Sequence, residues 1–315
     1  MSGKSSPDMR MFDATALAAA AALLREGKLV AVPTETVYGL AARADSESAV
    51  AGIYRAKGRP DFNPLIVHVP SLAVAEGLAQ FDDRARRLAD TFWPGALTMV
   101  LPLRAESGIA PAVTAGLPTI ALRFPAHPVM LAVLKACGLP LAAPSANRSG
   151  AVSPTSAAHV AASLGDAVDL VLDAGDCEQG IESTIVALRD SGWAVLRPGP
   201  ITEAQISAVL GPPLDVTTSS QAIEAPGQLA SHYAPGKPVR LCAESAGPDE
   251  FHIGFGTVDG DVSLSPTGDL AQAAARLYAC LHLAADSAKP RVAIAPVPDS
   301  GIGAAINDRL RRAAA

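Results

Sequence analysis

The sequence predicts an α/β protein made of a mixed, twisted sheet flanked by helices and a smaller α/β domain after it. Up to Leu210, short β-branched or apolar runs alternate with alanine-rich helical stretches. Several predicted strands follow one another directly, which argues against a strictly repeating βαβ barrel. After Leu210 comes a stretch rich in proline and hydroxyl residues, which is typical of a linker. A chain of 315 residues has room for one large and one small domain.

The elements follow from these patterns in chain order. Strands of the first domain are predicted at Leu29–Val32, Leu65–Val69, Leu97–Leu101, Thr119–Phe124, Leu139–Ala142, Leu170–Leu172, Thr184–Ala187 and Ala194–Leu196. Its helices are predicted at Ala14–Glu26, Glu47–Ala56, Leu72–Ala79, Asp83–Thr91, Pro128–Ala136 and Thr155–Ser163. After the linker, strands are predicted at Val239–Cys242, Phe251–Gly254 and Val292–Ala295, with helices at Ala271–Ala284 and Ala304–Arg312. The predicted domains are therefore residues 12–210, a linker at 211–236, and residues 237–315, a small C-terminal α/β domain of Rossmann-like type.

The apolar stretch near the start has two interpretations. Ala14–Leu24 follows Lys4 and Arg10, as the apolar part of a signal peptide would, but charged residues follow it where a small-residue cleavage site should lie. A helix with Asp13 as its N-cap and Gly27 just past its end explains the stretch better. We therefore expect a cytoplasmic protein, with no membrane association.

Composition narrows the classes of function. The formal net charge of −6 disfavours a protein that mainly binds the backbone of a nucleic acid, although it permits a local cationic pocket. The four cysteines are widely scattered, so the sequence predicts neither a zinc site nor a disulfide framework but reduced, mostly buried thiols. There is also no G-x-x-x-x-G-K-[ST] motif, so a nucleotide would be bound without a P-loop. Gly301 and Gly303 fit a tight turn before the last helix better than a dinucleotide motif.

Two polar loops follow apolar strands. Pro33–Leu40 carries two threonines and a glutamate, which suit a small polar ligand, or else form a turn before a second strand. Pro144–Gly150 is rich in serine and asparagine and forms either an anion-binding nest or an ordinary turn. Ser153 is predicted to cap the helix that follows. Each loop alone leaves both interpretations open.

Cationic residues also lie at the ends of predicted elements. Lys57 and Arg59 flank a glycine at a helix end, where they either complement the helix dipole or approach a phosphate. Arg123 lies in a predicted strand on the same face as Thr119, so its charge requires either an internal salt bridge or an anionic ligand. Together with Arg148 and Arg197, these cations amid many hydroxyls favour a nucleotide and a small zwitterion over a polymer.

The motifs as a set resemble the YrdC-like family, and specifically its long, two-domain threonylcarbamoyl-AMP synthases. The resemblance covers the whole first domain and the linker, and the C-terminal domain more loosely. It is carried by Pro33–Leu40, Lys57-Gly58-Arg59-Pro60, Asn63-Pro64-Leu65, Phe92-Trp93-Pro94-Gly95, Ser145-Ala146-Asn147, Ser183-Thr184, Leu196-Arg197-Pro198-Gly199, Pro226-Gly227 and His232-Tyr233-Ala234-Pro235. Between Gly227 and His232 the sequence departs from the usual family pattern, which leaves the linker contacts open.

This resemblance implies a fold, an activity and a set of binding residues. The fold is a YrdC-like sheet around a concave site, and the reaction makes threonylcarbamoyl-AMP and pyrophosphate from L-threonine, bicarbonate and ATP, with Mg²⁺ accompanying the ATP. The product would pass to a transferase complex that modifies tRNA. Threonine would contact Thr36, His68, Arg123, Ala143 (through its backbone) and Ser183. ATP would contact Arg59, Asn63, Thr119, Ser145, Ser153, Arg197 and the linker residue Tyr233, while Lys57 would face the phosphates and act with Arg59 in stabilising charge. No metal ligand from the protein is implied.

Two alternatives remain at this point. One is a factor that binds double-stranded RNA or tRNA, which the acidic balance and the aromatic content of 4% disfavour as a sole function. The other is a related carbamoyl-adenylating enzyme with a different acceptor. For the synthase that the resemblance implies, the linker with Tyr233 is expected to act as a lid over a closable site.

Overall fold

The computed structural model describes residues 7–213 and 232–315. Most of the predicted linker at 211–236, including Pro226-Gly227, lies outside the described residues, so the predicted lid is represented only by its two ends. In the described part of the chain, no helix is long and apolar enough to cross a membrane.

A large sheet forms the centre of the first domain. Its ten described strands are β1 (Met9–Met11), β2 (Val30–Val32), β3 (Gly39–Arg43), β4 (Ile66–His68), β5 (Leu97–Pro102), β6 (Thr119–Arg123), β7 (Leu141–Ala142), β8 (Leu170–Asp173), β9 (Thr184–Arg189) and β10 (Gly192–Arg197). They lie in the order β1-β8-β2-β3-β7-β4-β6-β5-β9-β10. The sheet contains both parallel pairs, such as β4 with β6, and antiparallel pairs, such as β5 with β6. The predicted mixed sheet is confirmed.

Helices cover both faces of this sheet. They are α1 (Ala14–Arg25), α2 (Glu47–Lys57), α3 (Leu72–Leu78), α4 (Asp83–Phe92), α5 (Pro111–Thr114), α6 (Pro128–Cys137), α7 (Ala157–Leu164) and α8 (Glu203–Leu210). The strand β2 illustrates the two-sided burial, because Val30 and Val32 pack with α1 and α6 while Ala31 packs on the opposite face. Helix α1 begins after Asp13, whose side chain accepts a hydrogen bond from the Ala16 amide, as predicted.

A smaller domain follows, with a purely parallel sheet. Its strands are β11 (Val239–Arg240), β12 (Glu250–Gly254), β13 (Val262–Ser263) and β14 (Arg291–Ile294), in the order β11-β14-β12-β13. Its helices are α9 (Leu270–Asp286) and α10 (Gly303–Ala313). The predicted small α/β domain of Rossmann-like type is confirmed.

The two parts of the chain share an apolar core. Val37, Val152 and Ile181 of the first part, together with Tyr233, belong to the same buried cluster as residues of α9 and α10. The imidazoles of His159 on α7 and His282 on α9 stack with their ring centroids 3.8 Å apart. The small domain is therefore packed directly against the large one.

The structure also corrects the predicted elements. Strands β1 and β13 and helices α5 and α8 were not predicted, strand β3 was predicted only as one of two alternatives and without bounds, and most predicted boundaries are off by one or two residues. Ser153 does not cap a helix: α7 begins at Ala157, and the Ser156 side chain accepts from the His159 amide as its N-cap. Of the cysteines, Cys137, Cys177 and Cys280 are buried and Cys242 is exposed, all with free thiols.

Candidate active site

One cavity gathers most of the residues predicted to bind ligands. It has a volume of about 540 Å³, including its open mouth, and lies between the large sheet and the segment that contains His232 and Tyr233. Nine of the predicted residues line it: Thr36, Arg59, His68, Arg123, Ala143, Ser145, Ser183, Arg197 and Tyr233. The loop Pro33–Tyr38 lines this cavity and also leads into strand β3. Both interpretations of the loop, as a ligand-binding segment and as a turn before a second strand, therefore apply.

The strand register explains how His68 and Arg123 meet. The parallel strands β4 and β6 place His68 directly beside Arg123, at the carboxyl ends of both strands. Burial, and then the charge of Arg123, lowers the pKa of His68 to about 3, so its imidazole is neutral at physiological pH. Its Nδ1 is buried without a hydrogen-bond partner among the described residues. A neutral imidazole with a free nitrogen can accept a hydrogen bond from a ligand.

Arg123 makes the internal salt bridge that the sequence left open, and it lines the cavity as well. Its Nη2 lies 2.7 Å from Glu35 Oε1, its Nη1 donates to Thr36 Oγ1 at 2.9 Å, and its Nε donates to the Gly95 carbonyl. Burial opposes the ionisation of Glu35, but the charge and hydrogen bonds of Arg123 outweigh it and hold the pKa of this carboxyl below its ordinary value. A guanidinium has five N–H donors, so Arg123 retains donors for a ligand carboxylate.

Arg59 and Arg197 are buried in the cavity wall, and in the described part of the chain neither forms an ion pair with a carboxylate. Arg59 donates to the carbonyls of Asn63 and Pro64 at 3.1 and 2.9 Å. Arg197 donates to the Ser183 carbonyl and hydroxyl at 3.0 and 3.2 Å. Burial, together with the charge of Arg197, lowers the pKa of Arg59 to about 10. Two buried guanidiniums bonded to neutral groups form a site that favours an anion.

Lys57 does not line the cavity. Its buried ammonium donates to the Ser145 and Asn147 carbonyls, both at 2.6 Å. Burial, and then the charge of Arg59, lowers the pKa of Lys57 well below its ordinary value. The role of Lys57 beside the phosphates stays a prediction, and in the structure Lys57 holds the loop that carries Ser145.

Three further predicted residues lie outside the cavity wall. Asn63 precedes β4 and Thr119 begins β6, so both lie at the amino ends of the strand pair whose carboxyl ends hold His68 and Arg123. Asn63 Oδ1 is buried without a hydrogen-bond partner among the described residues. Ser153 is fully buried and donates to Glu182 Oε1 at 2.6 Å.

The remaining predicted contacts have specific geometry. The amide of Ala143 donates to the Ile66 carbonyl, so a ligand contact through the Ala143 backbone would use its carbonyl oxygen. Tyr233 is almost completely buried and has a positive φ of 64°, although it is not glycine. The neighbouring amides hold it in place, because His232 donates to the Arg312 carbonyl and Ala234 donates to the Gly150 carbonyl.

The sequence analysis did not identify the partners of two glutamates at this site, and it did not single out Arg309. Glu35 anchors Arg123, Glu182 lines the cavity next to Ser183, and Arg309 pairs with Glu182. Glu35 lies in the loop that was singled out for a small polar ligand, and Glu182 stands beside Ser183, so both glutamates had a signal in the sequence. The partner Arg309 is 127 residues further along the chain, and no local pattern indicates such a contact.

The described residues do not form a metal site of their own. They contain no group of three or more histidine, cysteine or acidic side chains that could hold a metal ion. The cavity carboxylate Glu182 already accepts hydrogen bonds from Ser153 and Tyr278. These residues do not fit a magnesium ion bound by the protein alone.

Comparisons with known proteins agree with this geometry. The profile of the Sua5, YciO and YrdC family, described as "Telomere recombination", matches residues 22–199, and the profile described as "Threonylcarbamoyl-AMP synthase, C-terminal domain" matches residues 201–315. Proteins named threonylcarbamoyl-AMP synthase from Bacillus subtilis and Pyrococcus abyssi are 41% and 39% identical; the matches cover 95% and 93% of this chain and 92% of each relative. The solved structure of P. abyssi Sua5 complexed with L-threonine superposes with a TM-score of 0.88 at 34% identity, covering 98% of this chain and 97% of that one.

Proposed function

The chain belongs to the Sua5, YciO and YrdC family and carries the C-terminal domain of the Sua5 proteins, and from this we infer that it is a threonylcarbamoyl-AMP synthase. It is thus a transferase that uses L-threonine and ATP in a step of tRNA modification. One observation carries the assignment at the level of chemistry: the buried guanidiniums of Arg59, Arg123 and Arg197 meet hydroxyl groups and a neutral imidazole in a single cavity. That combination suits a nucleotide beside an amino acid.

The proposed reaction needs no nucleophile from the protein. Bicarbonate gives CO2 and hydroxide, the neutral amine of threonine attacks the CO2 carbon, and the nitrogen loses a proton to the hydroxide, so that a carbamate and water form. A carbamate oxygen then attacks the α-phosphorus of ATP, a bond forms between that oxygen and phosphorus, and the bond to the bridging oxygen breaks so that pyrophosphate leaves. Catalysis rests on holding two anions in line and on offsetting the charge of the departing pyrophosphate.

The residues divide between the two substrates. Arg123 would hold the threonine carboxylate, while Thr36, His68, Ser183 and the Ala143 carbonyl would surround the rest of the amino acid. A neutral His68 suits the amino acid, because a charged imidazole would compete with Arg123 for the threonine carboxylate.

ATP would occupy the other half of the cavity. Arg59 and Arg197, which form no ion pair with a carboxylate among the described residues, would bind the triphosphate, and Ser145 and Tyr233 complete the wall. Asn63 and Thr119 lie at one end of the β4–β6 pair, where the nucleotide would extend away from the amino acid. Mg²⁺ would enter with ATP and neutralise phosphate charge, and Ser153 would act only through Glu182.

The test is a pyrophosphate-release assay in which threonine, bicarbonate and ATP are omitted one at a time. We expect release only with all three, and detection of threonylcarbamoyl-AMP by mass spectrometry. Serine in place of threonine separates the related enzyme with another acceptor, because equal release with serine would contradict the threonine assignment.

Several finer expectations stay predictions. They are the use of bicarbonate, transfer of the product to a tRNA threonylcarbamoyl transferase complex, a weak contact with tRNA itself, and a cytoplasmic location. Filter binding of tRNA across a salt series measures the RNA contact, since each phosphate contact steepens the salt dependence. With a net charge of −6, we expect weak binding.

A further inference from the structure

A carboxylate lies in the wall of the cavity that is otherwise built for anions. Glu182 Oε1 accepts from Ser153 Oγ at 2.6 Å, and Oε2 accepts from the Tyr278 hydroxyl at 2.7 Å. The Nε of Arg309 lies 3.2 Å from the same Oε2. Tyr278 is on α9 and Arg309 on α10, so the small domain supplies two of the three groups that satisfy this carboxylate.

Arg309 joins two loops of the catalytic domain. Its side chain is completely buried. Besides the Glu182 carboxylate, the guanidinium donates through Nη2 to the Glu182 carbonyl and through Nη1 to the Pro198 carbonyl. Glu182 directly precedes Ser183, and Pro198 directly follows Arg197. The small domain thus reaches both residues through their backbone neighbours.

The same guanidinium also contacts the linker end. The Cζ of Arg309 lies 5.8 Å from the centroid of the Tyr233 ring, a distance at which a cation is attracted to an aromatic face. Tyr233 lines the cavity, whereas Arg309 does not. Arg309 therefore touches three parts of the wall from behind.

The ion pair also adjusts the charge that a nucleotide would meet. Burial opposes ionisation of Glu182, but the charges of Arg309 and Arg197 lower the pKa of this carboxyl to about 2. Without Arg309, Glu182 would be a buried carboxylate short of a counter-charge, next to the predicted triphosphate. Such a group would repel ATP or take up a proton.

We propose that Arg309 is a positioning residue, through which the C-terminal domain fixes the loops of Ser183 and Arg197 and the Tyr233 segment and neutralises Glu182. The proposal rests on the proposed function for the identity of the ligands. It gives the small domain a role in the reaction although none of its own side chains beyond the linker segment lines the described cavity.

The test uses the full chain with four variants. Arg309→Met removes the positive charge, and Arg309→Lys keeps the charge but loses the planar guanidinium with its several N–H donors. The double variant, Arg309→Met with Glu182→Gln, removes both charges of the ion pair. Arg311→Met is the control, since Arg311 is exposed on the same helix. ATP affinity is measured by calorimetry with magnesium and without threonine, kcat and both KM values by pyrophosphate release, and folding by circular dichroism.

We expect Arg309→Met to weaken ATP binding at least tenfold, Arg309→Lys three- to tenfold, and Arg311→Met less than twofold. Adding Glu182→Gln to Arg309→Met should restore most of the ATP affinity but not kcat, because the repulsion disappears while the loops remain unfastened. Replacing both partners of a buried ion pair also removes the stability cost of a lone buried charge, so the ATP affinities are compared only among variants whose circular dichroism matches that of the wild type. If Arg309→Met does not fold, the ATP affinity and kcat of Arg309→Lys and of the double variant test the proposal.

Two outcomes would overturn the proposal: a folded Arg309→Met with unchanged ATP affinity and kcat, or no recovery of affinity in the double variant. Failure of the proposed function has a different signature. A wild-type protein that binds ATP but releases no threonine-dependent pyrophosphate would contradict the synthase assignment, and the ATP-binding comparison would still test Arg309.

Discussion

Lys57 and Arg59 are two residues apart, yet their side chains have different partners. Gly58 ends α2 in the left-handed conformation, with φ of 59°, and the chain turns sharply there. Arg59 then lines the cavity, while Lys57 donates to the Ser145 and Asn147 carbonyls. The basic motif could be found in the sequence. The different contacts of Lys57 and Arg59 could not, because they depend on this turn and on a loop 88 residues away.

Lys57→Met should therefore lower the stability of the protein as well as its activity. The change leaves two buried carbonyls without their hydrogen-bond donor, at a cost of about 2–4 kcal/mol in the free energy of unfolding. Urea denaturation measures this. The control is Arg55→Met, on the exposed face of the same helical turn, for which we expect less than about 0.5 kcal/mol. A Lys57→Met variant with wild-type stability and lost activity would instead indicate that Lys57 contacts the phosphates.

At the scale of elements, the sequence predicted most of what positions the site. The strands that carry Arg123 and His68 could be predicted because apolar, β-branched runs bounded by turn residues are clear signals. Strand β3 remained one of two alternatives in the sequence, because Gly39-Leu40-Ala41-Ala42-Arg43 has little β propensity and is extended through its pairing with β2 and β7. Helix α8 was not predicted although the sequence contained a signal for it. Its capping box between Thr202 and Gln205 was present in the sequence as a recognisable T-x-x-Q pattern.

Contacts between elements were harder to predict than the elements themselves. The resemblance to a family identified cavity residues from several separate motifs, but spacing alone does not show which groups satisfy one another. Glu35 with Arg123 and Glu182 with Arg309 are separated by 88 and 127 residues, respectively, and only the folded chain brings them together. Ser153 shows the same limitation, because its hydroxyl was assigned to a helix cap and in fact bonds to Glu182.

The approach of the loop after β10 to the start of β9 depends on Gly199. A Cβ at this position would lie 2.4 Å from the Thr184 nitrogen and 2.7 Å from the Glu182 carbonyl oxygen. Both are backbone atoms, so the loop would have to move away from Ser183. Gly199→Ala should lower stability by about 1–3 kcal/mol and reduce kcat/KM about tenfold or more.

Thermal denaturation and pyrophosphate release measure the two effects of Gly199→Ala. Gly77→Ala is the control, because it lies in helix α3 with no atom within 4 Å of the added Cβ and should be neutral or slightly stabilising. A Gly199→Ala variant with unchanged kcat/KM would show that this close approach does not position the site.

On the scale of the whole molecule, the histidines make stability depend on pH. Burial lowers the pKa of five of them in the folded protein. The pKa falls to about 3 for His68 and His232 and to about 4 for His159, and it is also lowered for His127 and His282. In the unfolded chain, histidine titrates near 6.5. Below that pH the unfolded chain binds more protons than the folded one, so the free energy of unfolding falls as the pH falls.

The buried carboxylates act in the same direction at lower pH. Glu35 and Glu182 have lowered pKa values in the folded protein, so they contribute stability above the ordinary glutamate pKa and lose it as the pH falls towards their folded values. Acid is therefore expected to destabilise the cavity and the domain interface together, since His159 and His282 stack across that interface while Glu182 and Arg309 pair across it.

The final prediction isolates the histidine contribution at the interface. Between pH 7 and pH 5, each histidine that stays neutral in the folded state lowers the free energy of unfolding by at most about 2 kcal/mol. Replacing His159 and His282 together with glutamine, which cannot be protonated in this range, should flatten the pH dependence by about 1–3 kcal/mol. Urea denaturation at constant ionic strength, from pH 5 to pH 8, compares the wild-type protein with the double variant and with each single variant. Parallel curves for wild type and double variant would contradict the prediction, because they would mean that the stacked rings take up no fewer protons in the folded state than in the unfolded one.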